Sequence, residues 1–256
     1  MTPELRAALE GLRDVHRLLV ALDFDGTISM IVPVPSDARP LPGALELLGQ
    51  LGNQAGTDVA LVSGRARDDL ASVSGAAEVA ILIGSHGQEA GAEMSLSDAE
   101  AAVLQGVRSD VATSVGSIPG VRVETKPAGL AVHVRGASEA DAPRATALVR
   151  DIANRTPGAF SIDGKLVIEI SVRPLDKGSA LRTLIEADPG RHVLFAGDDV
   201  TDESAMAVLR PEDIAIRVGP GPSVATFRLP GPPEMVEALA LLAEIREQPR
   251  GPAPDA

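Results

Sequence analysis

Four short apolar runs, each closed at its C-terminal end by small or acidic residues, constrain this chain more than any other feature. Leu18 to Leu22 runs into Asp23-Phe24-Asp25-Gly26-Thr27, and Val59 to Val62 into Ser63-Gly64-Arg65. Val79 to Ile83 runs into Gly84-Ser85-His86-Gly87, and Val193 to Ala196 into Gly197-Asp198-Asp199. Such runs are strand length, and unbroken apolarity is the pattern of strands buried on both faces. Helical spacing separates them. Leu41, Leu45 and Leu48 share one face, as do Leu181, Leu184 and Ile185, while Met206 and Leu209 fall in a further helix. Ile214 to Val218 reads as the last strand, and Met235, Ala238, Leu239 and Leu242 as a C-terminal amphipathic helix. Strands alternating with helices predict an α/β fold with a parallel-sheet core, whose ligands bind beyond the carboxyl ends of the strands.

The middle of the chain breaks this rhythm. Val103, Val107 and Val111 mark a helix; Val121 to Glu124, Leu130 to Val134 and Val167 to Ile170 read as strands of a smaller sheet. A helix from about Glu139 to Asn154 lies among them, and Gly120, Gly129, Gly136, Gly158 and Gly164 read as turns. The expected plan is therefore a core over 1–91 and 177–256, split by an inserted smaller α/β cap over 92–176. An inserted lid above the strand ends would suit exclusion of water. The Pro-rich tail from Gln248 is expected to be disordered.

Composition narrows the chemistry. The chain has no cysteine, which removes disulfides, thiolate nucleophiles and thiolate metal ligands. Its four histidines are scattered, so a bound metal should be a hard cation held by carboxylate oxygens. A formal charge of −13 and the lack of a basic run argue against nucleic acid. An anionic substrate would have to meet local positive charge. With no tyrosine, no tryptophan and four phenylalanines, a sugar would be gripped by polar side chains. The first fourteen residues carry charges throughout and do not read as a signal peptide. No apolar stretch reaches membrane-spanning length, and the expected location is the cytoplasm.

Two acidic strings carry the chemistry. Asp23 and Asp25, at i and i+2 on an extended segment, point the same way, and the Gly26-Thr27 turn lets both face one ligand. One carboxylate can attack phosphorus while the other transfers a proton. The plain alternative is a solvated acidic turn capping a helix. Gly197 to Glu203 places four acids within six residues, whose repulsion a divalent cation would relieve. A helix cap by Asp199 or Thr201 is expected there too. Lys177, opening a helix at the unfavourable end of its dipole, would gain from a bound anion. Ser63-Gly64-Arg65 could cradle phosphate, although a plain strand-to-helix turn reads as well.

The order of these strings resembles the four-motif order of the haloacid dehalogenase (HAD) superfamily of phosphatases. Further stretches resemble the trehalose-6-phosphate phosphatases within it: Gly84 to Gly87 with Glu89, Glu124-Thr125-Lys126-Pro127, His133-Val134-Arg135, Gly164 to Glu169, Asp176-Lys177-Gly178, and Gly197 to Glu203. The likeness runs from Leu18 to Met206 and departs at Phe24 and Val134, where that family usually carries tyrosine. It implies Mg²⁺-dependent hydrolysis of trehalose 6-phosphate, with Asp23 as nucleophile and Asp25 as general acid and base. It also implies Ser63, Gly64 and Lys177 on the phosphate, and Mg²⁺ held by Asp23, the Asp25 carbonyl and Asp198, with Asp199 and Asp202 in support. Arg65, His86, Glu124, Lys126, His133, Arg135 and Glu169 would bind the sugar. The partner implied is a small sugar phosphate, with no nucleic acid and no membrane. Phosphatases for sucrose or mannosyl phosphates and a phosphosugar mutase share the core pattern and stay open here.

Overall fold

A computed structural model describes residues 1–87, 89–90, 96–126, 128–164, 166–173 and 176–247. The expectation of a disordered tail from Gln248 lies outside them. The chain divides into two compact units, Met1–Gly91 with Asp176–Ala256, and Ala92–Leu175.

The first unit is built on one sheet. Its strands are β1 (Leu18–Leu22), β2 (Thr57–Val62), β3 (Ile81–Gly84), β4 (Glu89–Ala90), β9 (His192–Gly197), β10 (Ile214–Val218) and β11 (Phe227–Leu229). They lie in the order β11-β10-β9-β1-β2-β3-β4; all neighbours are parallel except β3 and β4. β1 is central and every residue of it is buried. Strand alternation sends Leu18, Val20 and Leu22 to one face and Leu19 and Ala21 to the other. The first set packs with α1 (Pro3–Glu10), α2 (Ala44–Gly52), α3 (Arg67–Ser74) and α8 (Pro232–Glu247). The second packs with α6 (Lys177–Ala187) and α7 (Val200–Met206). Helices thus cover both faces of a mostly parallel sheet, the layering the apolar runs predict. From β1 the chain winds outward through β2 and β3, then returns through β9 to the opposite side. The carboxyl ends of β1 and β9 flank the point where winding reverses, where open α/β sheets bind ligands.

The second unit holds an antiparallel sheet of β5 (Arg122–Lys126), β6 (Gly129–His133), β7 (Phe160–Gly164) and β8 (Val167–Ser171), in the order β5-β6-β8-β7. α4 (Asp98–Val115) and α5 (Asp141–Arg155) pack on the face bearing Leu130, Val132, Ile168 and Ile170. Ser97 and Glu100 form a capping box that starts α4.

Several sequence expectations need correction. Leu41 precedes the helix that carries Leu45 and Leu48, which opens at Ala44, and Val121 and Val134 lie just outside β5 and β6. Val79 and Ala80 precede the third strand, which opens at Ile81. Leu209 lies past the end of α7 at Met206. Ile214–Val218 is followed by another strand, Phe227–Leu229, at the sheet edge; three residues are too few for their apolar-polar-apolar alternation to mark a strand in the sequence. Gly158 does turn the chain, at φ +84°, but Gly129 opens β6, and β7 runs on from Phe160 to Gly164 between two glycines read as turns.

Candidate active site

The string after β1 turns at Gly26, whose φ of +80° favours glycine. Space demands glycine there as well, since a Cβ would collide with the Asp198 carboxylate. Asp23 is thereby brought beside a residue from the end of β9. Its carboxylate accepts from Lys177 Nζ at 2.6 Å, and the same ammonium donates to Asp202 Oδ1 at 2.7 Å. One oxygen each from Asp23, Asp198 and Asp202 lie within 4.8 Å of one another. Asp23, Lys177 and Asp202 are all buried.

Burial pushes the Asp23 carboxyl well above the ordinary range; Lys177 opposes the rise, and the charges of Asp202 and Asp198 add to it. Burial and then Asp202 push Asp198 up to about 6. Burial alone would favour neutral Lys177, but Asp23 and Asp202 outweigh it and raise the ammonium above the usual lysine value. Two buried carboxylates therefore share one ammonium, with the partly buried Asp198 carboxylate beside them. This donor set, all hard oxygen and in excess negative charge, fits a divalent cation held by carboxylates.

Asp202 is drawn deeper into this cluster than a supporting position required. Its second oxygen accepts from the Asp199 amide at 2.8 Å, and Asp199 Oδ1 accepts from Val200 N at 2.7 Å. Asp199 is the N-cap of α7, reciprocated by Asp202. Both readings of the second acidic string are thus realised together: it starts a helix, and it supplies carboxylates to the cluster.

Ser63 is buried at the end of β2, and its hydroxyl accepts from Arg65 N at 3.2 Å. The next strand's loop is fastened to it: Ser85 N donates to Arg65 O at 2.6 Å and His86 N to Ser63 O at 2.9 Å. Ser85 and His86 both take left-handed backbone angles, φ 50° and 56°. Two successive non-glycine residues in that region carry strain of about 1–3 kcal/mol each, a feature concentrated at functional sites. The His86 ring lies so close over Gly64 that a Cβ there would strike it.

Asp23, Asp25, Ser63, Gly64, Arg65, His86, Lys177, Asp198 and Asp199 line one cavity of about 620 Å³, the size of small-molecule sites. Ile31, Val32, Pro35 and Asp69, which carried no signal in the sequence, complete its wall with Thr201 of the second acidic string. Asp25 does not lie free in the cavity. Arg65 Nε and Nη2 donate to its two oxygens at 2.6 and 2.8 Å. The hydrogen bonds of Asp25 raise the guanidinium above its ordinary value despite burial. Phe24 is fully buried in the core beneath this pair, its ring centre 5.8 Å from the Arg65 guanidinium carbon.

The remaining predicted residues lie in the second unit. Paired residues of an antiparallel sheet share a face. Glu124 pairs with Ala131 and Ala131 with Glu169; His133 lies one row away, and Lys126 one row to the other side. All four stand on the sheet face opposite the helix-packed residues. Lys126 Nζ donates to Glu169 Oε1 at 2.9 Å, and His133 Nε2 lies 2.8 Å from Glu124 Oε2. Glu169 Oε2 is buried without a hydrogen-bond partner among the described residues. Arg135 is exposed beyond the end of β6 and is not part of this face.

A family model described as trehalose-phosphatase matches residues 21–233. A trehalose-phosphate phosphatase of Mycobacterium marinum is 36% identical over 250 residues, which are 90% of this chain and 62% of the relative. A trehalose-6-phosphate phosphatase of Escherichia coli is 29% identical over 234 residues, 89% of this chain and 87% of the relative. A bifunctional trehalose-6-phosphate synthase/phosphatase of Thermoproteus tenax is 34% identical over 83% of this chain and 30% of its own length. The chain thus spans less than two thirds of several curated relatives it matches. Among solved structures, a trehalose-6-phosphate phosphatase related protein superposes with a TM-score of 0.67 at 25% identity, covering 89% of this chain and 97% of that one. The C-terminal domain of the Candida albicans trehalose-6-phosphate phosphatase, at 21% identity and a TM-score of 0.69, shares the fold. No helix among the described residues is long and apolar enough to cross a membrane. With its HAD-like core, its inserted second sheet and a match over most of its length, the chain belongs to the trehalose-phosphatase family.

Proposed function

We propose that this chain hydrolyses trehalose 6-phosphate to trehalose and phosphate in a Mg²⁺-dependent reaction, through a phosphoryl group carried on Asp23. The observation that carries the reading is the clustering of Asp23, Asp198 and Asp202, two of them bonded to Lys177, in a chain that a trehalose-phosphatase model matches. An Asp23 oxygen attacks phosphorus, and the bond from phosphorus to the sugar oxygen breaks as Asp25 supplies the proton that oxygen needs. Asp25 then takes a proton from the water that attacks the aspartyl phosphate, and phosphate leaves with Asp23 regenerated. Lys177, Ser63 and the Gly64 amide hold the phosphoryl oxygens, offsetting the long-range repulsion of a chain with formal charge −13. Asp23, the Asp25 carbonyl and Asp198 would hold Mg²⁺, which supplies positive charge to the phosphoryl oxygens.

The sugar-binding assignment rests on Glu124, Lys126, His133 and Glu169 of the second unit. Their charges are already paired within the sheet face, which suits neutral hydroxyl groups better than a second anion. Glu169 Oε2 accepts nothing within the described protein and is available to a sugar hydroxyl. His86 is assigned to the substrate from its place over Gly64 at the phosphate cradle. Arg135, exposed and off the face, contributes from the surface.

The test is phosphate release from trehalose 6-phosphate, sucrose 6-phosphate, glucose 6-phosphate and p-nitrophenyl phosphate, each with Mg²⁺ and with chelator. The expected result is Mg²⁺-dependent turnover with strong preference for trehalose 6-phosphate. Preference for another ester would discard the substrate, and turnover undiminished by chelator would discard the metal.

A further inference from the structure

The arginine beside the phosphate cradle is committed elsewhere than to substrate. A guanidinium offers five N–H donors. Arg65 directs Nε and Nη2 at Asp25, Nη1 at Asp69 Oδ2 at 2.7 Å, and Nη2 again at the Pro35 carbonyl at 2.9 Å. Four of the five donors are thereby used. The Arg65 side chain is only 10% exposed, against 35% for Asp25, so the carboxylate faces the cavity and the guanidinium backs it. The planar fork grips both carboxylate oxygens, which fixes the plane of the carboxylate as well as its place; an ammonium would fix neither as well. Asp69 and Pro35 hold the fork from the far side, and the Phe24 ring lies beneath it.

We propose that Arg65 is the positioning residue of Asp25: it acts on the reaction by holding the proton-transferring carboxylate, not by binding substrate. This rests on the reading of Asp25 as general acid and base. The leaving groups of two esters separate the roles. An alkoxide from a sugar leaves poorly without a proton, whereas p-nitrophenolate leaves well without one.

The experiment measures kcat and KM of Arg65→Ala, Arg65→Lys and Asp69→Ala on trehalose 6-phosphate and p-nitrophenyl phosphate with saturating Mg²⁺. Arg65→Ala should lower kcat by roughly 10–100-fold with KM within about 3-fold, and should lower it more for the sugar ester. Arg65→Lys should recover only part of the loss. Asp69→Ala, at a half-exposed position, should lower kcat in the same direction by a smaller factor, and it serves as the readout if Arg65→Ala does not fold. In an Asp25→Asn background, Arg65→Ala should add no further loss. A rise in KM with kcat unchanged would make Arg65 a substrate ligand and overturn the proposal. Unchanged kinetics in the folded variants, or losses that multiply with those of Asp25→Asn, would overturn it as well. A parent protein active on p-nitrophenyl phosphate but not on trehalose 6-phosphate would overturn the substrate reading alone, since the p-nitrophenyl phosphate constants still decide the role of Arg65.

Discussion

The two units handle buried charge in opposite ways. In the first, Asp23, Asp198 and Asp202 cluster around a single ammonium that bonds two of them, leaving an excess of two negative charges if all are ionised. In the second, Lys126 is matched with Glu169, and Glu124 lies beside both Arg122 and His133. An unbalanced, mostly buried cluster is costly unless something positive arrives, so the first arrangement suits a divalent cation. A balanced face makes no such demand. It offers oriented donors and acceptors, the chemistry that distinguishes one neutral polyol from another. The chemistry and the choice of substrate are thus assigned to different charge patterns in different parts of the chain.

The largest expected break is at the nucleophile. Asp23→Asn should remove turnover of every ester, a loss on the order of 10⁴-fold or more, with the fold retained by circular dichroism. Residual turnover within tenfold of the parent by undeamidated protein would show that another group attacks phosphorus.

The next three predictions concern stability, and two of them have opposite signs within one cluster. Lys177→Met leaves buried carboxylates uncompensated and should cost about 3–5 kcal/mol by denaturant unfolding in chelator. Lys126→Met, in the balanced and less buried pair, should cost about 1–3 kcal/mol. Equal costs would erase the contrast between the units. Asp198→Asn, by contrast, should stabilise the metal-free protein by about 2–4 °C at pH 7 and abolish the rise in Tm on adding Mg²⁺. The sign follows from its raised pKa. A carboxyl pushed up to about 6 binds more protons folded than unfolded, so metal-free stability falls as pH rises from the usual carboxylate value through about 6. In Asp198→Asn that slope should shrink. A steeper slope would mean that Asp198 is stabilised as the anion in the folded state.

These contrasts also explain what could be read from the chain and what could not. The core motifs are contiguous strings at strand ends, so each brings its own backbone geometry: Gly26 supplies the turn, and Asp199 with Asp202 supplies a helix cap. Their order pointed to Asp23 and Asp198 as neighbours, but not to the place of Asp202 in the cluster itself. The clamp of Arg65 on Asp25 joins residues forty positions apart, and no local pattern distinguishes it from a surface arginine. Lys126 and Glu169 lie 43 positions apart and meet because β6 and β8 are neighbours. Alternating polar residues on a strand read equally well as a solvated face, and only the family likeness marked them out. β7 was hidden by Gly158 before it and Gly164 at its end, and β11 was too short to register.

The smallest expected effect lies in the second unit, away from its polar face. Glu100 caps α4 and receives Arg173 Nε at 2.7 Å; hydrogen bonds from Arg173 and then Ser97 lower its carboxyl to about 2. A lowered carboxyl contributes stability above its unfolded value near 4.5, and loses it as pH falls toward 2. Because the pair is partly solvated, Glu100→Gln should cost only about 1 kcal/mol or less at pH 7, with trehalose 6-phosphate kinetics unchanged. A larger change in KM than in stability would give this corner of the unit a role in substrate binding.

The measurement that tests the division between the two units most directly is kcat/KM of Glu169→Gln, for trehalose 6-phosphate and p-nitrophenyl phosphate side by side with Mg²⁺. Glutamine keeps the shape and a hydrogen bond to Lys126 while altering the unpartnered oxygen. The value for trehalose 6-phosphate should fall at least about 10-fold and that for p-nitrophenyl phosphate should stay within about 2-fold. Equal losses on both esters, or no loss on either, would contradict the assignment of substrate choice to the face that carries Glu169.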